Sequence, residues 1–428
     1  LKEATIDRRP GRIAVSDRAR QAEGEDRRAI SAAVHPAAAM RQPALWLRRL
    51  TVSRFRSYAA LAFDIDARPL VITGANGAGK TNLLEAVSLL GPGRGLRGAR
   101  LGDLEQRSDA SSQAADGPGG WAVAAEVGTL DGPISLGTGT QGLVGDGRER
   151  RQVKIDGRPA RGQAALAEVL RLVWLTPQMD GLFRDPASER RRFLDRLVAA
   201  FDPAHSGRLY AYEHAMRERS RLLKSGAGDP AWYASLEDTM ARYGIALAAA
   251  RRDLVGRLNG AARVTAAFPT AVVDMDCEID RSLSAGPALL AEDVMRERLE
   301  AARPRDAEVG GAAVGPQRAE VLVTHRAKDM PAALCSTGEQ KALLIALLLT
   351  HARLLTQACG LAPVLLLDEV VAHLDAERRR ALFAEILELG AQAWMTGTDG
   401  EVFRSLGEAA QFFYLREQRL WPGSAERL

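Results

Sequence analysis

The sequence predicts an α/β fold. A mixed-sheet lobe is assembled from the two ends of the chain, and a helical lobe with a short helical hairpin lies between them. Three observations carry this expectation. A short apolar strand at residues 69–73 runs into a glycine-rich loop and then a helix from residue 81 to about 90. A second apolar strand, Val364–Leu367, ends in two carboxylates. Between them, residues 186–260 repeat apolar side chains at three- and four-residue steps, the period of an α-helix. Strands alternating with helices at both ends imply one sheet in which the first and last thirds of the chain meet.

The composition is that of an ordinary globular protein. The chain has 428 residues, 58 Lys plus Arg against 54 Asp plus Glu, a net charge of +4 and 46% hydrophobic residues. This excludes a wholly disordered or collagen-like chain, and the length suggests two or three domains. No apolar run reaches the roughly 18 residues of a membrane-spanning helix, so no membrane partner is expected. Cys277, Cys335 and Cys359 show no paired spacing and read as free thiols in a reducing cytoplasm. The six histidines are scattered and suggest no metal cluster. Only six of the basic residues are Lys, at 2, 80, 154, 224, 328 and 341. Genome composition explains this, although the planar guanidinium also suits phosphate.

Residues 1–39 have few large apolar side chains and no periodicity, so a disordered or untranslated extension is expected, with translation starting at Met40. A strand–turn–strand unit follows: Leu47, Leu50, Val52 and Phe55, then Leu61, Phe63 and Ile65. Residues 105–120 read as a surface loop, and further strands are expected at 121–127, 134–136, 153–155 and 172–175. Leu209, Tyr212, Met216 and Leu223 share one helical face, and so do Tyr233, Leu236, Met240, Tyr243, Leu247, Leu254 and Leu258. With the breaker at 225–230, these two faces form the hairpin. Residues 303–316, rich in Gly and Pro, read as a loop. Beyond it come a strand at 320–324, a helix at 338–357, the strand Val364–Leu367, the helix Ala376–Leu389, and short strands near 393–396 and 412–415. Lobe I is expected at 45–176 and 360–428, and lobe II at 177–359.

Gly74, Ala75, Asn76, Gly77, Ala78, Gly79, Lys80 and Thr81 fit G-x-x-x-x-G-K-[ST] between a strand and a helix, the setting that motif needs. Its glycines let backbone N–H groups turn inward around phosphates, and the helix N-terminus adds partial positive charge. Lys80 is expected to reach the β- and γ-phosphates of ATP, and the Thr81 hydroxyl to bind Mg²⁺. A plain glycine-rich turn would leave the lysine unexplained. This places the chain among P-loop NTPases. After the strand Val364–Leu367, Asp368 is expected to hold Mg²⁺ and Glu369 to polarise the attacking water. Adjacent acids also begin helices. Asp375 suits the N-cap of the next helix, and a role at a subunit contact is compatible with that.

Ser336-Thr337-Gly338-Glu339-Gln340-Lys341 precedes an apolar helix. A capping box, Ser336 with Glu339 three residues on, explains it alone. It also resembles the signature motif of ABC-type ATPases. That resemblance implies an ABC-ATPase head, with Ser336 and Gly338 contacting the γ-phosphate bound to an opposite subunit. Gln178 is a candidate for the glutamine that senses Mg²⁺ and couples the lobes. A solvated loop glutamine explains it equally well. Arg184, Arg190, Arg191, Arg192 and Arg196 suit a DNA-facing surface. Interleaved with Asp185, Glu189 and Asp195, they suit an ion-paired helix as well.

Lys80 and Ser336 lie 256 residues apart. Long-armed SMC-type ATPases need far more chain there, and transporter ATPase domains need less. Residues 47–58, LRRLTVSRFRSY, look like the opening strand of RecF, the bacterial recombination-mediator ATPase family. Residues 175–180, LTPQMD, and 185–195, DPASERRRFLD, resemble its mid-chain signature. Asp368 and Glu369, then His373, Leu374, Asp375 and Arg378, resemble its C-terminal one. The resemblance runs in order from about Met40 to Leu415. Gln317 stands where the family commonly has His, and Glu339 where many members have Gln. The resemblance implies an ATP-dependent homodimer that binds double-stranded or gapped DNA. It also implies RecO and RecR as partners, RecA loading as the outcome, and slow ATP hydrolysis that resets the switch. An ABC transporter subunit and a nuclease-linked ABC ATPase are the alternatives. The first needs a membrane partner, and the second an added acidic metal domain.

Overall fold

A computed structural model describes residues 45–106, 119–140, 150–226 and 229–425. The extension expected at 1–39, the start at Met40 and most of the loop at 105–120 lie outside the described residues. The chain opens with the hairpin β1 (Leu45–Phe55) and β2 (Tyr58–Asp64). β3 (Leu70–Thr73) leads into α1 (Lys80–Ser88). There follow β4 (Ala122–Thr129), β5 (Gly132–Gly139), β6 (Gln152–Ile155), the short β7 (Arg158–Pro159), α2 (Leu166–Val169) and β8 (Leu172–Leu175). The helical stretch holds α3 (Ala187–Phe201) and the hairpin pair α4 (Ala204–Ser225) and α5 (Pro230–Ala261). Then come β9 (Ala271–Asp276), α6 (Glu278–Ala285), α7 (Ala288–Ala301), α8 (Arg303–Val309), β10 (Glu320–His325) and β11 (Met330–Pro331). α9 (Thr337–Cys359), β12 (Val364–Leu367), α10 (Ala376–Leu389), β13 (Ala393–Gly397), β14 (Gln411–Arg416) and β15 (Arg419–Gly423) complete the described chain.

Three sheets form where the sequence suggests one. The first is antiparallel, in the order β2-β1-β4-β5-β6-β7, and the second runs β15-β14-β3-β13-β12-β8. Five neighbouring strands of the second sheet are parallel, and only the β15 edge is antiparallel. Parallel strands covered on both faces read as unbroken apolar runs, which is why β12 is VLLL. Its side chains alternate between two cores. Leu365 and Leu367 join Val71, Val173 and Met395 under α9. Val364 and Leu366 join Ile72, Trp174 and Trp394 on the face towards the antiparallel sheet. Buried Gln392 stitches the two sheets together. Its carbonyl accepts from Leu47 N–H at 2.9 Å, and its amide donates to Leu47 O at 3.0 Å and Asp66 O at 2.8 Å. The third sheet, β11-β10-β9, belongs to the helical stretch.

α4 and α5 enclose a third core with α7, built on Tyr212, Met240, Leu247, Met295 and Leu299. Fully buried Arg219 lies within it, bonded to Glu237 at 2.8 Å, Asp306 at 2.7 Å and Leu299 O at 2.6 Å. This network corrects the loop expected at 303–316, because Arg303–Val309 is helical. Pro304 sits in the first turn, where a missing N–H costs nothing. Asp306 is drawn inward to Arg219. Gly310, at φ 76°, ends the helix in the left-handed conformation that glycine tolerates. Gln317 is a latch in the same region: its carbonyl accepts from the Tyr212 hydroxyl. Its amide donates to Ala312 O and Val314 O at 3.0 Å each.

Among the described residues one helix, α9, is long and apolar enough to cross a membrane. It is a core helix, with Leu343, Leu344, Leu347, Leu348 and Leu355 buried. His351 on α9 faces α3, with Nε2 2.8 Å from Leu197 O and its ring edge-on to Phe201. Burial pushes its pKa down from 6.5 to about 4. Between these values the unfolded chain takes up a proton that the folded chain refuses, so stability falls as pH drops from 6.5 towards 4 and levels off below. At 1.36 kcal/mol per unit the expected loss is about 3 kcal/mol. Urea melts at pH 7 and pH 5 should show a smaller difference for His351→Gln than for the parent. Equal pH slopes would mean that other groups carry the effect.

Candidate functional site

The glycine-rich loop leaves the central strand β3 and enters α1 through Gly79, whose φ of 109° is open to glycine. A Cβ at Gly79 would lie 2.7 Å from the Tyr58 hydroxyl, which itself donates to Gly79 O at 3.0 Å. A Cβ at Gly74, φ 153°, would lie 2.5 Å from Leu415 O. The loop is therefore pinned by β2 on one side and β14 on the other. Lys80 is 5% exposed, and its Nζ donates to Gly74 O at 2.7 Å and Ala75 O at 3.0 Å. Burial lowers its pKa, while Glu369 and Asp368 act to raise it. The ammonium thus sits in the field of both carboxylates.

Parallel pairing of β12 with β13 and β8, and of β13 with β3, brings the remaining parts alongside. The Thr81 hydroxyl donates to Asp368 Oδ1 at 3.2 Å across 287 residues of sequence. A residue that carries no motif completes the group. The buried Thr396 hydroxyl, at the end of β13, donates to Asp368 Oδ1 at 2.6 Å and accepts from Glu369 N–H at 3.0 Å. Glu369 has φ 47°, a conformation a non-glycine residue holds only when its surroundings impose it. Thr81 and Asp368 offer hard oxygen donors beside the phosphate loop, which fits Mg²⁺. That ion commonly takes one or two carboxylates, with phosphates and water filling its shell.

The other expected residues lie around this group. Gln178 is exposed, in the turn Pro177–Gly181 that follows β8, and Asp368 N–H donates to Leu175 O at the end of that strand at 2.9 Å. Ser336 is the N-cap of α9, and both halves of the capping box with Glu339 are present. The hydrogen bond from Lys328, then those from Ser336, push the Glu339 carboxyl down to about 2. Ser336 is exposed, and Gly338 lies 4.0 Å (measured from a built Cβ) from His373 O. Among the described residues no hydrogen bond joins Ser336 or Gly338 to residues 74–81. Asp375 caps α10, accepting from Arg378 N–H at 2.8 Å. Lys341 was quoted in sequence only as a motif letter, yet it connects three of these segments. Its Nζ lies 3.2 Å from Asp180 and 3.3 Å from Glu369 O.

The arginine cluster resolves largely towards internal bonding. Arg190 donates to Val321 O and pairs with Glu320, and Arg191 donates to Ala319 O at 2.7 Å. Arg192 pairs with Glu189, and Arg196 lies 4.8 Å from the centre of the Trp174 ring. Arg184 is exposed and makes no ion pair among the described residues.

A strand, a phosphate loop, a capped helix and a facing carboxylate strand, in this order along the chain, define an ATPase head of the ABC type. The family model described as the RecF/RecN/SMC N terminal domain matches residues 46–418. The DNA replication and repair protein RecF of Mesorhizobium japonicum is 48% identical over 381 residues, covering 88% of this chain and 97% of that protein. RecF of Rhizobium rhizogenes is 48% identical over 372 residues, 86% of this chain and 96% of that protein. A solved structure of the recombination mediator protein RecF with ATP, in the RecFOR pathway, superposes with TM-score 0.74. It is 21% identical and covers 91% of this chain and 100% of that one. The chain belongs to the RecF family.

Proposed function

We propose that this chain is an ATP-switched DNA-binding protein of recombinational repair and replication-fork maintenance. The contact of Thr81 with Asp368 beside Lys80 is the observation that carries the reading, because it joins the two motifs across 287 residues of sequence, as a shared phosphate site would need. ATP would lie along residues 74–81, with Lys80 leaving the loop carbonyls for the β- and γ-phosphates. Mg²⁺, held by Thr81 and Asp368, would supply charge neutralisation between those phosphates. Glu369 would orient the attacking water, and Gln178 would sense the site from the β8 turn. Lobe I would comprise 45–176 and 360–428, and lobe II 177–359. The exposed α9 N-terminus, with Ser336 and Gly338, suits a γ-phosphate on a second copy, giving an ATP-dependent head-to-tail homodimer. The relatives' names support the DNA-repair role, and the RecFOR structure supports RecO and RecR as partners, with RecA loaded through them. Hydrolysis would be slow, DNA-dependent and cytoplasmic, and it would release the clamp.

The test is a DNA-binding titration with and without ATP on gapped, single-stranded and duplex DNA at two salt concentrations. ATP should raise affinity for gapped or duplex DNA at least about tenfold, and binding should weaken with salt as phosphate contacts release counterions. Equal affinity without ATP would overturn the switch.

A further inference from the structure

A cavity of about 390 Å³ lies beside the edge strand β8, bounded by residues 91–95 after α1, by α2 and by α3 and α4. None of the residues of the phosphate site lines it. Its charge is unbalanced. Arg94, Arg171, Arg192 and Arg196 face it, against one carboxylate, Asp195. That carboxylate is already taken up, by Arg251 at 2.7 and 2.8 Å and by His205 Nε2 at 2.9 Å. Arg192 pairs with Glu189. Arg94, Arg171 and Arg196 make no ion pair with any described carboxylate.

Arg196 is half-buried, stacked over Trp174 at 4.8 Å and Phe193 at 5.4 Å, and one of its Nη donors meets Met179 Sδ at 3.5 Å. Burial pushes its guanidinium down to about 10. Arg171 Nε and Trp174 Nε1 are buried and have no hydrogen-bond partner in the chain. Leu170, Ala199 and Leu209 make much of the remaining wall apolar. A cation partly withdrawn from water and left without a counterion carries a cost, which pairing relieves. A concave, mostly apolar space of a few hundred Å³ with a few charged groups is the form of a small-ligand site.

We propose that this cavity binds a compact organic anion, a carboxylate or phosphate on a small apolar body, with Arg171 and Arg196 as its countercharges. The apolar body replaces water against the alkyl wall, and the anion supplies the charge that the chain itself does not.

Calorimetric titration of the full chain, saturated with ADP and Mg²⁺ to fill the phosphate loop, tests this. The probes are phenyl phosphate, benzoate, inorganic phosphate and benzyl alcohol. Phenyl phosphate or benzoate should bind saturably, one per chain, and whichever binds more tightly identifies the anion. Inorganic phosphate and benzyl alcohol should bind at least about tenfold more weakly, as each lacks one half of the match. Arg171→Gln should weaken the preferred probe at least tenfold. Trp174→Phe keeps the ring under Arg196 and removes the N–H, and should weaken it severalfold. Arg184→Gln, an exposed position outside both the cavity and the phosphate site, should leave it unchanged. Circular dichroism of each variant separates lost binding from lost folding. Absent binding, binding insensitive to Arg171→Gln in a folded variant, or binding lost equally with Arg184→Gln would overturn the proposal.

Discussion

Glu369→Gln is expected to lower ATP turnover by roughly 10²–10⁴-fold, the usual range for removing a positioned general base, and to accumulate an ATP-bound dimer. The substitution keeps the size of the side chain and its capacity to hydrogen-bond. It alters none of the backbone contacts that hold residue 369: the N–H donates to Thr396, and the carbonyl accepts from Lys341 and from Ala372 N–H. The positive φ of 47° is set by those contacts and by the end of β12, so glutamine inherits it. What is lost is the negative charge, and with it the proposed capacity to polarise water and part of the field at Lys80. Phosphate release measures the first effect, and light scattering at saturating ATP the second. A monomeric Glu369→Gln protein under those conditions would exclude the head-to-tail sandwich.

Lys80→Arg is expected to keep the fold and to lose ATP-driven DNA binding and hydrolysis, by roughly 10²-fold or more, as removal of a preorganised charge clamp does. The charge is retained, so the test is one of geometry. The ammonium is 5% exposed and fits between two loop carbonyls at 2.7 and 3.0 Å. A planar guanidinium is larger and directs its donors in a fixed fork. It would have to displace the carbonyls of residues 74 and 75, and Gly74 is closely packed, since even a Cβ there would lie 2.5 Å from Leu415 O. Filter binding of labelled ATP and the DNA titration above read the outcome. Normal ATP-driven DNA binding by Lys80→Arg would show that charge alone is sufficient.

The phosphate loop and β12 are legible in sequence because their signals are local. A glycine pattern between strand and helix, or four apolar residues followed by two acids, needs no knowledge of what lies opposite. α10 matches its expected range, Ala376–Leu389, for the same reason: a good N-cap precedes it and Gly390 follows it. Thr396 could not be read this way. One threonine inside AWMTG is ordinary strand composition, and its role arises only when β13 is placed between β3 and β12. Lys341 is similar, because its partners Asp180 and Glu369 lie on separate segments. Helix α8 was obscured by Pro304 and Gly310, which mark its two ends and not its absence. The arginines of α3 were ambiguous because facing strand β10, whose carbonyl groups and Glu320 claim Arg190, is far away in sequence. β9 does alternate buried and exposed residues and could have been found by period alone.

The strand order also has a consequence for how the chain is made. β3, which carries the phosphate loop, pairs only with β13 and β14. The ribosome delivers β13 about 320 residues after β3, which at 5–20 residues per second is roughly 15 to 60 seconds later. For that interval a fully buried strand of the nucleotide sheet has both edges open. Nascent chains should therefore be at their most vulnerable to aggregation and most dependent on chaperones before β13 emerges. ATP can assist folding only after β12 and β13 have emerged, because the site proposed to bind it is not assembled until then.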